Sequence, residues 1–354
     1  MAPRVINVLA LAVGGNVTQG ILKALRRSQV PNRVVGADIS ALKIGLYTSE
    51  RAYLSPWAGE ERFVPWLIET CKKENIDIIL TGCEPILRVL SPLRTTVEAA
   101  TGAYCLVNAP EVMAIGEDKL ETCRWLEAQG FNFPCYAAAD NLGALTALID
   151  ACGFPLAAKP RMGGGAHGFL VLGNKHELAA VRGRGDYIVQ ELLGDTDNEY
   201  TVGVFCDRRG EKRATIAMRR TLHGGTTHQA VLGAYPEVRA EAERIAAALK
   251  PLGPFNVQLR VTSRGPVCFE LNPRFSGTAP LRAYYGFNEA EAVLRHFVLD
   301  EETLALPVVT RGTALRYWNE VYVDQEAVQQ LERDGCLDDP HAYPLHVEDY
   351  GIRG

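Results

Sequence analysis

The sequence lacks the features that mark several broad classes of protein. Its nine cysteines are odd in number, scattered and without a CxxC pair, so neither a disulfide scaffold nor a structural zinc site is expected. No stretch approaches the ~20 apolar residues that cross a membrane. Basic residues are not in surplus, since Lys and Arg number 37 against 42 Asp and Glu, and nucleic-acid-binding domains usually show such a surplus. These absences predict a cytoplasmic protein with reduced thiols and with neither a nucleic-acid nor a membrane partner.

The chain does contain enough apolar sequence for a packed core. Its 354 residues are 47% hydrophobic and 22% charged, which is ordinary for a folded protein. At roughly 100–200 residues per domain, this length predicts two or three domains.

Strands alternate with helices in the first third of the chain. Apolar runs at residues 5–13, 33–37 and 76–80 are separated by helical patterns at residues 21–27 and 63–74. Such alternation predicts parallel βαβ units. We therefore expect an α/β class with a doubly wound, Rossmann-like domain at the N-terminus.

The remainder is predicted to be of α+β type, with a second sheet. Predicted helices cover residues 118–129, 142–151, 176–181, 237–249, 290–299 and 325–333. Predicted strands cover residues 155–159, 169–172, 187–192, 200–206, 214–218, 256–261, 267–271 and 315–323. The domains that we predict are residues 1–112, 113–190, 191–310 and 311–354, the last being a strand-helix extension.

A glycine-rich turn, GGNVTQG at residues 14–20, lies between the first strand and the first helix. Asp38 follows the next strand, near the spacing of a ribose-binding acid in dinucleotide enzymes. The match to GxGxxG is imperfect, because Asn16 stands where a glycine is expected. Three interpretations stay open: a loop that faces the substrate, a plain turn, or an NAD(P) site.

A second glycine-rich loop, at residues 161–168, directly follows an apolar strand that ends in Lys159 and Pro160. The lysine can neutralise phosphate oxygens, and the loop can present several backbone N–H groups to the same anion. His167 either contacts phosphate or is simply exposed. The alternative is a surface β-hairpin, which needs only one or two glycines.

The segment Gln190, Glu191, Leu192, Leu193 closes another apolar strand, and Glu199 follows it. An extended backbone here can hydrogen-bond the edge of an adenine, and a nearby acid can hold ribose hydroxyls. A buried strand with a polar turn explains the same pattern equally well.

Oxygen-bearing side chains recur on two strands that are predicted to form a hairpin. Glu270 and Asn272 point to one face of their strand, since side chains alternate, and Gln258 of the preceding strand can join them. Carboxylate and amide oxygens suit Mg²⁺. Arg274 adds a cation beside them. The alternative is a solvated strand face.

Taken in order along the chain, these residues resemble the ATP-grasp superfamily, with the carbamoyl-phosphate synthase large-subunit branch of carboxylate–amine ligases as the nearest match. The resemblance covers about residues 110–299 and implies a pre-ATP-grasp domain before it. It implies nucleotide contacts from Lys119, Lys159, Gly163, Gly164, Gly165, His167, Gln190, Glu191, Leu192 and Leu193, a ribose contact from Glu199, metal ligation by Gln258, Glu270 and Asn272, and a catalytic role for Lys159 and Arg274.

Two departures limit what the resemblance implies. Gln258 stands where the superfamily often has an acid, although glutamine occurs in the synthase-like branch. Only one such module is present and no glutamine-hydrolysing Cys/His unit is evident, which excludes a complete carbamoyl-phosphate synthase.

The implied activity is the ATP-dependent joining of a small carboxylate to an amine or thiol through an acyl phosphate. The implied ligands are ATP and one or two Mg²⁺ ions, with Mn²⁺ as a substitute. Candidate substrate-binding residues are Arg220 and His228, near the HGGTTH loop, and Arg282, for which a surface salt bridge is the equal alternative. A homodimer is the default assembly.

Three rival functions stay open at this stage. The first is an ATP-dependent phosphotransferase, the second a carbamoyl-phosphate-synthase-like or regulatory module, and the third an NAD(P)-dependent oxidoreductase that uses residues 14–20. A His223–His228 metal pair would need a third ligand.

Overall fold

A computed structural model describes residues 4–165, 167–194, 198–304, 306–317 and 319–348 of the chain. The described residues form two compact units that are interleaved along the sequence. Unit 1 comprises Met1–Ala109, Arg274–Pro307 and Arg316–Gly354, and unit 2 comprises Pro110–Pro273 and Val308–Leu315. The four predicted domains stay a prediction.

Unit 1 is built on a six-stranded sheet in the order β17-β3-β2-β1-β4-β5. The strands β1 to β5 pair in parallel, and β17 joins β3 antiparallel. The strands are β1 (Ile6–Leu11), β2 (Asn32–Asp38), β3 (Arg51–Leu54), β4 (Ile78–Thr81), β5 (Tyr104–Cys105) and β17 (Cys336–Leu337). The helices of this unit are α1 (Asn16–Leu25), α2 (Ile44–Tyr47), α3 (Phe63–Lys73), α4 (Glu84–Thr101), α10 (Ala279–Tyr284), α11 (Glu289–Phe297) and α12 (Gln325–Asp334).

The centre of this sheet is β1, whose apolar residues are buried on both sides. Ile6, Val8 and Leu9 are fully buried, as expected for a parallel strand covered by helices. Chain order reverses between β1 and β4, which is the position where open parallel sheets form a crevice. The predicted N-terminal α/β fold is confirmed.

The predicted strand at residues 315–323 is wrong. It is two strands, β15 (Gly312–Leu315) and β16 (Val321–Val323), which pair with different partners. β15 pairs with β12 (Thr226–Leu232) in unit 2, whereas β16 pairs with β18 (Leu345–Val347). A short 3₁₀ turn covers Pro340–Ala342. Apolar alternation alone carries no information about the partner of a strand, so it could not show this break.

Unit 2 contains a four-stranded antiparallel sheet in the order β6-β9-β7-β8. Its strands are β6 (Tyr136–Ala138), β7 (Leu156–Pro160), β8 (Leu170–Leu172) and β9 (Tyr187–Glu191). The helices that precede or connect them are α5 (Pro110–Glu117), α6 (Lys119–Ala128), α7 (Leu142–Cys152) and α8 (Lys175–Leu178). Asp118 caps α6, because its side chain accepts a hydrogen bond from the backbone N–H of Leu120.

The second sheet of unit 2 is antiparallel, in the order β14-β13-β10-β11-β12-β15. Its further strands are β10 (Glu199–Cys206), β11 (Lys212–His223), β12 (Thr226–Leu232), β13 (Gly253–Thr262) and β14 (Gly265–Asn272). Alternate residues of β10 and β13, among them Val202, Val204, Val257 and Leu259, form an apolar core with α9 (Pro236–Leu249). The opposite set of side chains is therefore the one that carries the polar groups.

Within the described residues, no helix has the length and apolar composition that crossing a lipid bilayer requires.

Candidate functional site

The polar face of the second sheet in unit 2 brings together side chains from three neighbouring strands. Glu199 lies opposite Arg260, and Thr201 lies opposite Gln258, in the pairing of β10 with β13. Gln258 in turn lies opposite Glu270 of β14. Since these residues alternate with the apolar core positions, the strand periodicity alone places them on one surface.

The three predicted metal ligands meet at one carboxylate oxygen. The amide nitrogens of Gln258 and Asn272 each lie 2.9 Å from Glu270 Oε1. Each amide carries an oxygen beside the nitrogen that makes this contact, and a half-turn of the amide exchanges the two. The structure therefore brings together one carboxylate and two side-chain amides. With the amides turned, their oxygens and the carboxylate would form a donor set that fits a hard cation such as Mg²⁺.

The pKa of the Glu270 carboxyl is shifted by burial, by a hydrogen bond and by cations from other elements of unit 2. Burial by itself raises the pKa of its carboxyl, but the hydrogen bond from Asn272 and the charges of Lys119, Arg220 and Lys159 outweigh burial, so the pKa is lowered. One carboxylate among several cations suits a polyanion that brings its own metal ion better than it suits a bare cation.

Lys159 extends from β7 toward this face. Its ammonium lies 5.1 Å from the ring centroid of Phe269, within the range of a cation–π contact. Burial lowers the pKa of Lys159, and the charge of Glu270 opposes that effect. Both interactions link Lys159 to β14, the strand that carries Glu270 and Asn272.

Lys119, at the start of α6, contacts the glycine-rich loop. Its ammonium donates to the carbonyl of Gly163 at 2.6 Å. Gly163 and Gly165 have φ values of 90° and 72°, a region that glycine enters without strain. Gly164 and His167 are exposed like the rest of the described loop residues after position 161, and residue 166 lies outside the described part.

Glu199 is held between two arginines. It is 4% exposed, and its Oε1 accepts from Arg220 at 2.7 Å while its Oε2 accepts from Arg260 at 2.9 Å. Arg220 also donates to Gln258 Oε1 at 2.6 Å. The two predicted roles, a ribose contact for Glu199 and a substrate contact for Arg220, stay predictions. The geometry shows that both residues already organise the polar face.

The predicted hinge residues lie at the end of β9 and in the turn after it. Gln190 is 1% exposed and its amide donates to the Cys123 sulphur at 3.0 Å. The carbonyl of Leu193 accepts from Arg260 at 2.6 Å, while Leu192 is partly exposed. Arg260 thereby joins the hinge to the Glu199 pair, a link that the sequence interpretation did not include.

His223 and His228 lie on the hairpin of β11 and β12, with ring centroids 5.7 Å apart. Within the described residues, no third His, Cys, Asp or Glu forms a ligand cluster with them. The exposed backbone of this hairpin lies against the glycine-rich loop: a Cβ at Gly225 would come within 2.0 Å of the carbonyl oxygen of Gly165. The substrate role predicted for His228 stays a prediction.

Two predicted site residues belong to unit 1. Arg274 donates to Glu84 Oε1 at 2.6 Å, at the start of α4, and to the carbonyl of Phe275 at 2.9 Å. Arg282 is fully buried and its guanidinium lies 3.0 Å from Glu289. The salt bridge that was the alternative for Arg282 is present, but it is buried in unit 1 and not on the surface.

The glycine-rich turn of unit 1 has a packing explanation for several of its features. Asp38 accepts backbone hydrogen bonds from Gly14 and Ile39, both at 2.8 Å, one at each carboxylate oxygen. A Cβ at Gly14 would lie 2.4 Å from the side chain of Lys43. Asp38 therefore helps to shape this turn itself, and the plain-turn interpretation accounts for it without a bound dinucleotide.

Two residues of the polar face were missed at the sequence level. Thr201 donates to Asn256 Oδ1 at 2.8 Å in the buried part of the sheet, and Arg260 pairs with Glu199. A signal for Arg260 does exist, because it follows Gln258 by two positions and so shares its face.

Two family profiles match the chain. Residues 8–103 match the family described as PylC-like, N-terminal domain. Residues 184–321 match the family described as ATP-grasp in the biosynthetic pathway with Ter operon. The second match contains β10 to β14, and hence the polar face.

The chain is also similar in sequence to individual curated proteins. The chain is 25% identical over 276 residues to the carbamoyl phosphate synthase large chain of Deinococcus radiodurans, covering 73% of this chain and 26% of that protein. The chain thus spans about a quarter of the length of the curated relatives it matches.

Solved structures share the fold at low identity. The biotin carboxylase domain of the Hydrogenobacter thermophilus 2-oxoglutarate carboxylase, in complex with MgADP, ADP and bicarbonate, has a TM-score of 0.67 at 13% identity, covering 86% of this chain and 73% of that chain. The L-amino acid ligase of Bacillus licheniformis has a TM-score of 0.63 at 18% identity, covering 82% and 73%.

Proposed function

This chain carries an ATP-grasp domain behind a PylC-like N-terminal domain, and from that premise we propose that it is an ADP-forming carboxylate–amine ligase. The observation that carries the proposal is the carboxylate of Glu270, which accepts hydrogen bonds from two side-chain amides and whose pKa is lowered by the charges of three cations. Such a site matches the metal-bound triphosphate of ATP in charge.

The nucleotide would be bound by residues of unit 2. Lys119 and Lys159 would neutralise phosphate oxygens, and the N–H groups of Gly163, Gly164 and Gly165 would cover them. Gln258, Glu270 and Asn272 would hold Mg²⁺, with the phosphates as its further ligands. When bound, the ion would withdraw charge from the transferred phosphoryl group. The adenine and ribose contacts of residues 190–193 and Glu199 are part of this proposal.

The chemistry then needs position and charge more than a protein nucleophile. A substrate carboxylate oxygen attacks the γ-phosphorus, the bond from that phosphorus to the bridging oxygen breaks, and ADP leaves. An amine nitrogen next attacks the acyl carbon, phosphate departs, and the amine loses a proton. The loop at residues 161–168 would exclude water, which would otherwise hydrolyse the acyl phosphate.

An amino acid or another small carboxylate is the substrate that we propose. One structure with the same fold is an L-amino acid ligase, and the curated relatives are carbamoyl phosphate synthase large chains. Arg220, His228 and Arg282 stay the proposed acceptor contacts, although Arg220 and Arg282 are already paired with Glu199 and Glu289.

The test is turnover. Purified protein is incubated with Mg-ATP and pools of amino acids, ADP and phosphate are measured, and products are identified by mass spectrometry. We expect ADP and phosphate in equal amounts together with an amide. Glu270→Ala should lower the rate by at least about 100-fold, since one preorganised charge is worth that much in the transition state.

The control is Glu177→Ala, a substitution in α8 of an exposed carboxylate that caps a turn. Its rate should match that of the wild type. A stable phosphorylated product without amide would assign the chain to the phosphotransferases instead, and full activity in Glu270→Ala would refute the metal assignment.

A further inference from the structure

A second group of metal-binding side chains lies apart from the polar face, at one end of the four-stranded sheet. Cys135 directly precedes β6, Cys152 is the last residue of α7, and Glu191 is the last residue of β9. Their two sulphur atoms and a carboxylate oxygen lie within 4.8 Å of one another. Each of the three residues is partly exposed, so an ion can reach them from solvent.

The carboxylate in this group is fixed in place. Glu191 Oε1 accepts a hydrogen bond from the backbone N–H of Cys135 at 3.0 Å and another from the guanidinium of Arg264, in the turn between β13 and β14. Both contacts use the same oxygen. The second oxygen of Glu191 is the one that can turn toward the two thiols without giving up either contact.

The donor set selects the kind of ion. Two thiolates with one carboxylate favour a borderline-soft dication that accepts four ligands, and they do not suit Mg²⁺, which prefers oxygen. Charges also balance: two thiolates and a carboxylate carry three negative charges, and a dication with the guanidinium of Arg264 carries three positive charges. Arg264 would thus stay in place as the partner of the ligating carboxylate.

We propose that Cys135, Cys152 and Glu191 form a binding site for Zn²⁺ or a similar thiophilic dication, with water as the fourth ligand. The site joins the start of β6, the end of α7 and the end of β9. Binding would release the two thiol protons to solvent, and it would tie together three elements of the four-stranded sheet. The site uses the side-chain carboxylate of Glu191, whereas the adenine contact proposed for residues 190–193 uses their backbone, so the two proposals can be tested separately.

Cobalt(II) is the probe, because its bonds to thiolate give a charge-transfer absorption that oxygen ligands do not give. The full chain is titrated with Co²⁺ in the presence of a non-thiol reductant, and then with Zn²⁺ as the competitor. We expect one equivalent of Co²⁺ with thiolate absorption, displaced by Zn²⁺. Cys135→Ser and Cys152→Ser should each weaken the affinity by at least about tenfold. Cys336→Ser, a substitution of a partly exposed thiol on β17 in unit 1, should leave it unchanged.

A second measurement needs no variant. Zn²⁺ should protect Cys135 and Cys152 of the wild-type chain from alkylation, as read by peptide mass spectrometry, while Cys336 reacts at its usual rate. The proposal is overturned if the thiolate band is absent, if it survives both serine substitutions, or if Zn²⁺ protects neither thiol. These readouts differ from ADP formation, so failure here leaves the ligase proposal untouched, and the reverse also holds.

Discussion

The low pKa of Glu270 depends on charges that its own strand does not supply. Lys119 comes from the start of α6, Lys159 from β7 and Arg220 from β11, and together with the Asn272 hydrogen bond they keep the pKa of Glu270 low against the effect of burial. No single sequence motif therefore accounts for the low pKa of Glu270, because the residues that lower it come from several motifs. The property that a nucleotide would meet is a local surplus of positive charge in a chain whose formal net charge is −5.

Lys159 gives a prediction about pH. Burial lowers its pKa, so the ammonium loses its proton below the value of about 10.4 that is usual for lysine. Since only the charged form attracts phosphate, Mg-ADP affinity should be retained at neutral pH and should fall by about tenfold per pH unit above the lowered pKa. Calorimetric titrations with Mg-ADP at a series of alkaline pH values measure this fall in affinity.

The comparison variant is Lys159→Arg, because a guanidinium keeps its charge throughout this range. In this variant the fall in Mg-ADP affinity should move to higher pH or vanish. An identical pH dependence of Mg-ADP affinity in the wild type and in the variant would assign the titration to another group.

Glu199 gives a prediction about stability. It is buried and shared by Arg220 and Arg260, and removal of one partner of a buried ion pair leaves charge uncompensated. Glu199→Gln should lower the free energy of unfolding by about 3–5 kcal/mol. Urea unfolding followed by circular dichroism measures the change.

Asp186→Asn is the matched carboxylate-to-amide control, since the Asp186–Arg184 pair is exposed. The midpoint of its urea unfolding should equal that of the wild type. A Glu199→Gln midpoint as high as that of the control would show that the buried pair contributes nothing to stability.

At the scale of elements, the sequence predicted most of what the structure contains. The helix predicted at residues 142–151 is α7 (Leu142–Cys152), and the strand predicted at 200–206 is β10 (Glu199–Cys206). Strong apolar periodicity explains both. The strand predicted at 214–218 is instead the longer β11 (Lys212–His223), because polar residues such as Arg220 are buried by partners that local sequence does not reveal.

The hairpin of β11 and β12 gives a prediction about the glycine-rich loop. A Cβ at Gly225 would collide with the backbone of Gly165, whereas a Cβ at Gly224 would meet no atom within 4 Å, and both glycines have positive φ. Gly225→Ala should therefore displace the loop, and Gly224→Ala should share only the backbone strain. Amide hydrogen exchange of residues 161–168 should quicken in Gly225→Ala alone.

Nucleotide affinity is the second readout of the same pair. Gly225→Ala should weaken Mg-ATP binding more than Gly224→Ala does, because the loop would cover the phosphates. Equal exchange and equal affinity in the two variants would mean that the contact with Gly165 does not hold the loop.

At the scale of the whole molecule, the apolar periodicity of the sequence did not reveal that the two units are interleaved along the chain. The chain passes from unit 2 to unit 1 between Pro273 and Arg274, so Asn272 and Arg274 belong to different units although the sequence interpretation grouped them in one motif. The α/β class and the ATP-grasp resemblance are confirmed, the first by the parallel sheet of unit 1 and the second by the family match over residues 184–321. Unit membership depends on contacts far apart in sequence, which periodicity does not encode.

Selective stabilisation of the folded chain by nucleotides distinguishes an ATP site from an NAD site. The melting temperature of the full chain is recorded with Mg-ATP, with ATP and a chelator, and with NAD. A ligand that binds only the folded state at 100 times its Kd adds about 2.7 kcal/mol of stability. We predict a clear rise with Mg-ATP, a smaller rise without the metal and none with NAD, and loss of the metal-dependent part in Glu270→Ala. A rise with NAD and none with Mg-ATP would contradict the account.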